Sequence, residues 1–296
     1  MMVKVIEPRS VKLSTRTEIE VRRNLPHAQL RRVGAWVFLD HFGPTPMVEG
    51  MQVAAHPHAG LQTVTWPFQG LVEHNDSAGH RQVLRPGQLN LMTAGHGVAH
   101  SERSLAGTES LHAVQLWLAL PEAVRDASAD FEHHGDLPRF DLGGASLTLF
   151  IGEFGDAHSP AKTYTPLIGA EVVLPGGATS TRMPLKSTWE HAILAVDGEV
   201  RVNGEVVAIN SLAYLPIGEA SVQISSDTGA RLILIGGEPF TEPLFLWWNF
   251  IGRSHAEIVE MREKWNARDA RFGEVEDALG GWIPAPELPN VILKAR

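Results

Sequence analysis

Ala55-His56-Pro57-His58-Ala59-Gly60 and, further along, Thr93-Ala94-Gly95-His96-Gly97-Val98-Ala99-His100-Ser101-Glu102 each carry a pair of donor side chains at i, i+2 spacing. Alternate side chains leave a β-strand from one face. His56 and His58 therefore point together into whatever the strand encloses, and His100 and Glu102 do the same. Both stretches contain Gly or Pro and adjoin alternating β-formers, so the spacing predicts two neighbouring strands that present three imidazoles and a carboxylate to one volume. This donor set suits a divalent first-row transition ion, and four protein ligands leave two positions of an octahedron open for water, dioxygen or a chelating substrate. The chain has no cysteine, so any metal must be held by nitrogen and oxygen donors.

Outward from these stretches the apolar runs are short and turn signals frequent. Leu61 to Phe68 is rich in Thr, Val and Trp and ends at Gln69-Gly70, and Ala78-Gly79, Pro86-Gly87 and Ala94-Gly95 punctuate the runs that follow. A second series runs from His191 to Val196, through Asp197-Gly198, Glu199 to Val202 and Asn203-Gly204, to Leu215. Asp-Gly and Asn-Gly are hairpin signals because both residues tolerate positive φ. The two series read as a degenerate internal repeat, the trace of a duplicated small barrel. Aligning Gly70 with Gly198 sets Pro184 against His56 and Lys186 against His58, and no His-x-His occurs after position 120. One metal site is expected, in the first half.

The order of Asp40-His41-Phe42-Gly43-Pro44, His56-Pro57-His58, Glu73-His74-Asn75-Asp76-Ser77, Met92-Thr93-Ala94-Gly95 and His100-Ser101-Glu102 resembles the pirin family, a branch of the cupins. The resemblance is closest over residues 1 to 120 and continues more weakly to the C-terminal region. It implies an all-β bicupin, with two jelly-roll barrels in tandem and a short C-terminal helix. Residues 1–130 would form the metal-bearing domain and 131–296 a degenerate, metal-free one. By motif match the ligands are His56, His58, His100 and Glu102, the four that strand spacing selects. The implied cofactor is one divalent transition metal, Fe(II) first, with Mn, Ni, Co, Cu and Zn also compatible with the donors.

Ala59 and Gln62 depart from the pattern, since many pirins have Arg and Glu there. The missing carboxylate at 62 is consistent with Glu102 serving as ligand, while the missing cation weakens substrate inference by analogy. The resemblance implies a dioxygenase of the quercetin 2,3-dioxygenase type, acting on a flavonol and dioxygen with release of carbon monoxide, Glu102 being both ligand and candidate base. It also implies an alternative, an iron-dependent redox-sensing regulator acting through a protein partner. An isomerase or hydrolase is a third reading. Leu61, Trp66, Phe68, Leu89, Leu91 and Met92 either receive a flat aromatic substrate or simply fill the barrel.

A formal net charge of −9 counts against direct nucleic-acid binding. The first thirty residues hold no apolar run suited to a signal peptide or membrane span, so the expected location is the cytoplasm. Pro121 to Asp141 reads as a connector, and its His133-His134 pair diverges too much to chelate one ion. His191 is expected to be a buried, hydrogen-bonded histidine. His74 and His96 suit outer or rim roles, with Glu73 and Gln115 as further candidates to reach the cavity. Near the end, Ser254-His255-Ala256-Glu257 has capping-box form, and Ile258, Met261 and Trp265 follow at helical spacing. Phe245 to Phe250 is expected to be buried packing.

Overall fold

The computed structural model describes residues 3–12, 20–46, 50–105, 108–177, 179–276 and 281–295. The architecture is all-β, with one α-helix, His255–Asn266, among the described residues. The chain forms two compact units, each assembled from separated segments: 1–11, 22–41 and 134–240 in one, and 12–21, 42–133 and 241–296 in the other. This division differs from a single cut at 130/131, and strand pairing supplies the reason. Lys4–Ile6 pairs with Leu212–Tyr214, which draws the N-terminus into the later unit. The C-terminal helix packs on Ala59, Ala99 and Phe250 of the earlier one.

In the unit containing 42–133, one sheet runs in the order Gln52–His58, Val98–Ser104, Val72–Asp76, Arg81–Leu84. A second includes Asp130–His134, Leu89–Thr93, Leu61–Gln69 and Ser110–Ala119, in that order. The other unit repeats the plan. Its smaller sheet runs Thr179–Pro184, Ser221–Ser226, Val200–Val202, Glu205–Val207, and its larger one includes Leu212–Leu215, Glu190–Asp197 and Ala230–Gly237 in the matching order. Asn203 and Gly204 have φ of 48° and 89°, the primed turn that an Asn-Gly hairpin requires.

Matching topology makes the two interiors comparable. Thr179–Pro184 occupies the place of the His-Pro-His strand, and there Thr181 and Met183 are buried opposite Ile224 and Val222. Where one unit buries imidazoles, the other buries mainly apolar side chains. Among the described residues the later unit has no group of metal-donor side chains.

The expected helix begins at Ser254, whose hydroxyl accepts from the Glu257 N–H at 3.2 Å. Glu257 reaches one residue further back than a capping box would, accepting from the Arg253 N–H at 3.0 Å. Ile258, Met261 and Trp265 are its buried residues. Two short strands, Phe245–Trp247 and Phe250–Gly252, precede it. Ile251 N–H donates to Ala59 O at 3.0 Å, and Ile283 N–H to Ala55 O at 2.9 Å. The C-terminal segment thus lines the outer edge of the His-Pro-His strand. Pro57 shares that edge by alternation with Ala55, so its missing N–H is not needed by the ladder to Val98–Ser104. Gly60 sits just beyond, at φ +75°, where a Cβ would lie 2.2 Å from Ile251 O. The connector is a turn over residues 122–127 followed by the strand Asp130–His134, and His133 Nδ1 lies 2.8 Å from Asn90 Oδ1. No helix among the described residues is long and apolar enough to cross a membrane.

His191 is buried, and burial pushes its imidazolium down to about 4. The unfolded chain takes up that proton near the ordinary value of 6.5, so protons favour unfolding as the pH falls from about 6.5 toward about 4, and the contribution is absent above that window. His191→Leu is expected to flatten the stability–pH curve across this window in urea unfolding. An unchanged slope would show that His191 titrates normally.

Candidate metal centre

Strands Gln52–His58 and Val98–Ser104 pair antiparallel, with His100 opposite His56 and Val98 opposite His58. This register brings three rings together. The His56 and His100 centroids lie 4.3 Å apart, His58 and His100 4.9 Å, and His56 and His58 5.1 Å. One ring nitrogen from each falls within 4.8 Å of the others, and His58 Nε2 lies 3.1 Å from His100 Nε2.

All three are held neutral. Burial pushes His56 down to about 4. Burial first, and then the neighbouring His56, push His58 and His100 well below the ordinary histidine value. The tautomer of His56 follows from its partner: Ala54 O only accepts, so Nδ1 carries the proton it donates at 2.9 Å, and Nε2 keeps its lone pair.

Glu102 does not join the group of mutually close donor atoms. Toward Gln52–His58 the pairing slips, since the step from His100 to Glu102 answers a step from His56 to Val53, a bulge in the His-Pro-His strand. Toward Val72–Asp76 it is unbroken: His100 faces Asp76 and Glu102 faces His74. Glu102 therefore keeps the face of His100. Among the described residues no hydrogen bond or ion pair engages its carboxylate, and burial alone pushes it up to about 7.

Behind His100 lies a set of polar side chains of which sequence reasoning found only one. His74, buried, faces it with Nδ1 3.3 Å from His100 Nδ1, and His74 Nε2–H donates to Asp76 Oδ2 at 3.0 Å. Asp76 also accepts from the Ala78 N–H at 2.9 Å, the His80 N–H at 3.0 Å and the His80 ring at 3.1 Å. Burial works to raise the Asp76 carboxyl, but the His74 and His80 donors outweigh it and hold it below the usual carboxylate range. Phe131 stacks on His74 at 4.5 Å and on His80 at 5.4 Å. The legible signal was Asp76-Ser77-Ala78-Gly79-His80, an Asp at a tight turn where its side chain caps nearby N–H groups. Phe131 had no local signal.

Other candidates fall elsewhere. Glu73 is engaged by Arg81 at 3.0 Å and by Arg103, on the side of the sheet away from Glu102 by strand alternation. Gln115 Oε1 accepts from the Thr65 hydroxyl at 2.9 Å, and Gln62 donates to the Thr93 hydroxyl at 2.9 Å. His96 is exposed beside Asp126. Leu61, Trp66, Leu89, Leu91 and Met92 are all buried, as barrel filling requires, and Phe68 is half-buried.

The donor set fits a divalent transition cation. Buried neutral imidazoles can bring Nε2 to Nε2 at 3.1 Å only by sharing a proton or by directing lone pairs at a cation, and the half-buried Glu102 carboxylate on the face of His100 is a further oxygen donor that a cation would engage. Chemically, such a site can polarise an oxygen ligand or accept redox chemistry.

Paired sheets repeated in two units, one of them lined by a three-histidine cluster, define the cupin class of barrels. The chain belongs to the pirin family: residues 18–118 match the Pirin profile, and residues 170–273 match the Pirin C-terminal cupin domain. It is 45% identical over 273 residues to a Pseudomonas aeruginosa protein provisionally named quercetin 2,3-dioxygenase, an alignment covering 92% of this chain and 86% of that one. A pirin-like protein of Caulobacter vibrioides is 34% identical over 278 residues, covering 90% of this chain and 94% of that one. The crystal structure of a quercetin 2,3-dioxygenase from Acinetobacter baumannii superposes with a TM-score of 0.94 at 41% identity, over 99% of this chain and 97% of that one.

Titration of the full chain with Ni²⁺ is expected to show one tight site. His58→Ala should weaken it by more than the roughly 10–100-fold that loss of an outer partner costs. His96→Ala should leave it unchanged, and equal losses in the two variants would show that the cluster is not the site.

Proposed function

We propose that this chain is a metal-dependent dioxygenase that opens the ring of a flavonol such as quercetin, with His56, His58, His100 and Glu102 holding one divalent ion, iron(II) being the first candidate. The observation that carries this reading is the buried cluster of three neutral imidazoles with the unpaired Glu102 carboxylate on the same face. The names of the Pseudomonas and Acinetobacter relatives supply the substrate class. Overall, one flavonol and one dioxygen yield carbon monoxide and an ester that retains both dioxygen atoms.

A divalent ion bound here supplies Lewis-acid and redox chemistry to the flavonol oxygen and to dioxygen. The protein's own residues do the rest. Glu102, when not engaged by the ion, offers a carboxylate on the face of His100 to accept the proton of the flavonol 3-hydroxyl. Trp117, whose ring meets His58 edge-on at 5.1 Å, closes one side of the cluster with apolar surface, which keeps water from the neutral imidazoles. His56 is aimed by Ala54 O, so it needs no reorientation to offer Nε2.

The test follows flavonol absorbance and dioxygen uptake together, with protein of assayed metal content. Metal-loaded wild type is expected to consume both in step. Glu102→Gln should lower kcat by about 100-fold or more, the usual worth of a general base, and His56→Ala should abolish turnover. A filled site that leaves both flavonol and dioxygen untouched would overturn the dioxygenase reading in favour of a metal-sensing regulator.

A further inference from the structure

We propose that His74 is a positioning residue that sets the tautomer of His100, and that Asp76 sets the tautomer of His74. The proposal rests on the metal-centre reading above and adds a chain of command running inward from the turn at Asp76 to a ligand nitrogen. Each link follows from which atoms can donate.

Asp76 is buried and receives two backbone N–H groups, from Ala78 and His80, together with the rings of His74 and His80. A carboxylate so surrounded is an acceptor only, so the His74 nitrogen facing it, Nε2, is the N–H. A neutral His74 then has a lone pair on Nδ1. That nitrogen faces His100 Nδ1 at 3.3 Å, and two lone pairs cannot meet there, so His100 carries its proton on Nδ1 and donates it. The outcome is fixed at the far side of the His100 ring, where Nε2 is left as a lone pair directed toward His58 Nε2, 3.1 Å away. Reversing any link places a proton on His100 Nε2, where a ligand lone pair is needed.

Geometry holds the chain in place as well as in polarity. Phe131 lies nearly parallel to the His74 ring, with an interplanar angle of 20°, and nearly parallel to the His80 ring at 25°. Rotation of His74 that would withdraw Nδ1 from His100 must break this stack. Across the strands, His100 and Asp76 are direct partners and Glu102 is the partner of His74, so the ladder sets the spacing of the chain. His74 meets His100 at Nδ1, the ring nitrogen opposite the one that faces His58, which makes the role one of aiming a ligand.

Two variants separate polarity from packing. In His74→Gln, the side-chain carbonyl can accept from His100 Nδ1 while the amide donates to Asp76, which preserves the direction of every bond. His74→Phe preserves bulk and stacking but removes both bonds. The measurements are Ni²⁺ affinity by calorimetry and the His100 ring-nitrogen shifts of the full-length ¹⁵N-histidine-labelled protein, stripped of metal, with circular dichroism to establish folding. Wild type and His74→Gln are expected to show His100 protonated on Nδ1 and affinities within about threefold of one another. His74→Phe should shift His100 toward the Nε2–H form and weaken Ni²⁺ about 10–100-fold, the range for loss of an outer partner. A folded His74→Phe with unchanged shifts and unchanged affinity overturns the proposal, as does His74→Gln behaving like His74→Phe. If wild type itself bound no nickel, the metal-centre reading would fail instead, which keeps the two failures distinct.

Discussion

Packing three imidazoles against one another in a protein interior is unfavourable unless something accepts their lone pairs, and much of this structure is arranged around that constraint. Burial removes the option of protonation by driving His56, His58 and His100 far below the ordinary histidine value. The lone pairs must then be directed, and for His56 and His100 the direction has a local cause. Ala54 O takes the proton side of His56, His74 faces the proton side of His100, and antiparallel pairing sets His56 opposite His100. Buried polar groups of this kind are retained where a ligand offsets their cost.

The later unit shows the same framework without that constraint. At the positions that correspond to the ligand strands it buries Thr181, Met183, Val222 and Ile224, the last three within its apolar core. Lys186, at the end of this segment, pairs with Glu153 and lies 4.3 Å over the Trp189 ring. One copy of the repeated plan buries a cluster of donor side chains and the other an apolar core. The C-terminal segment belongs to the first: its helix and the edge contacts at Ala55 and Ala59 flank the His-Pro-His strand on the side away from its partner strand. A surface tail would make no such contacts, and the segmented composition of the two units follows from them.

Much of this was legible in the chain. Strand period alone selects His56 with His58 and His100 with Glu102, and the Asn203-Gly204 turn and the Ser254 helix cap stand as their local chemistry requires. Less legible was anything that depends on which strands become neighbours. His74 reads as an outer residue and stands as one, but which ligand it meets depends on Val72–Asp76 pairing with Val98–Ser104, and Phe131 reaches both His74 and His80 from a strand in the other sheet. The bulge that shifts Glu102 against Val53 leaves no local trace, because no glycine or unusual residue marks Val53 to His56. The assignment of the N-terminal strand to the later unit was likewise hidden, since Lys4–Ile6 finds its partner some two hundred residues away.

X-ray absorption fine structure of the full chain loaded with one equivalent of Ni²⁺ tests the central claim most directly, because it counts imidazole ligands without reference to activity. Three imidazoles in the first coordination sphere, completed by oxygen donors, is the predicted result. One imidazole or none would place the nickel elsewhere and contradict the assignment of His56, His58 and His100 as a metal centre.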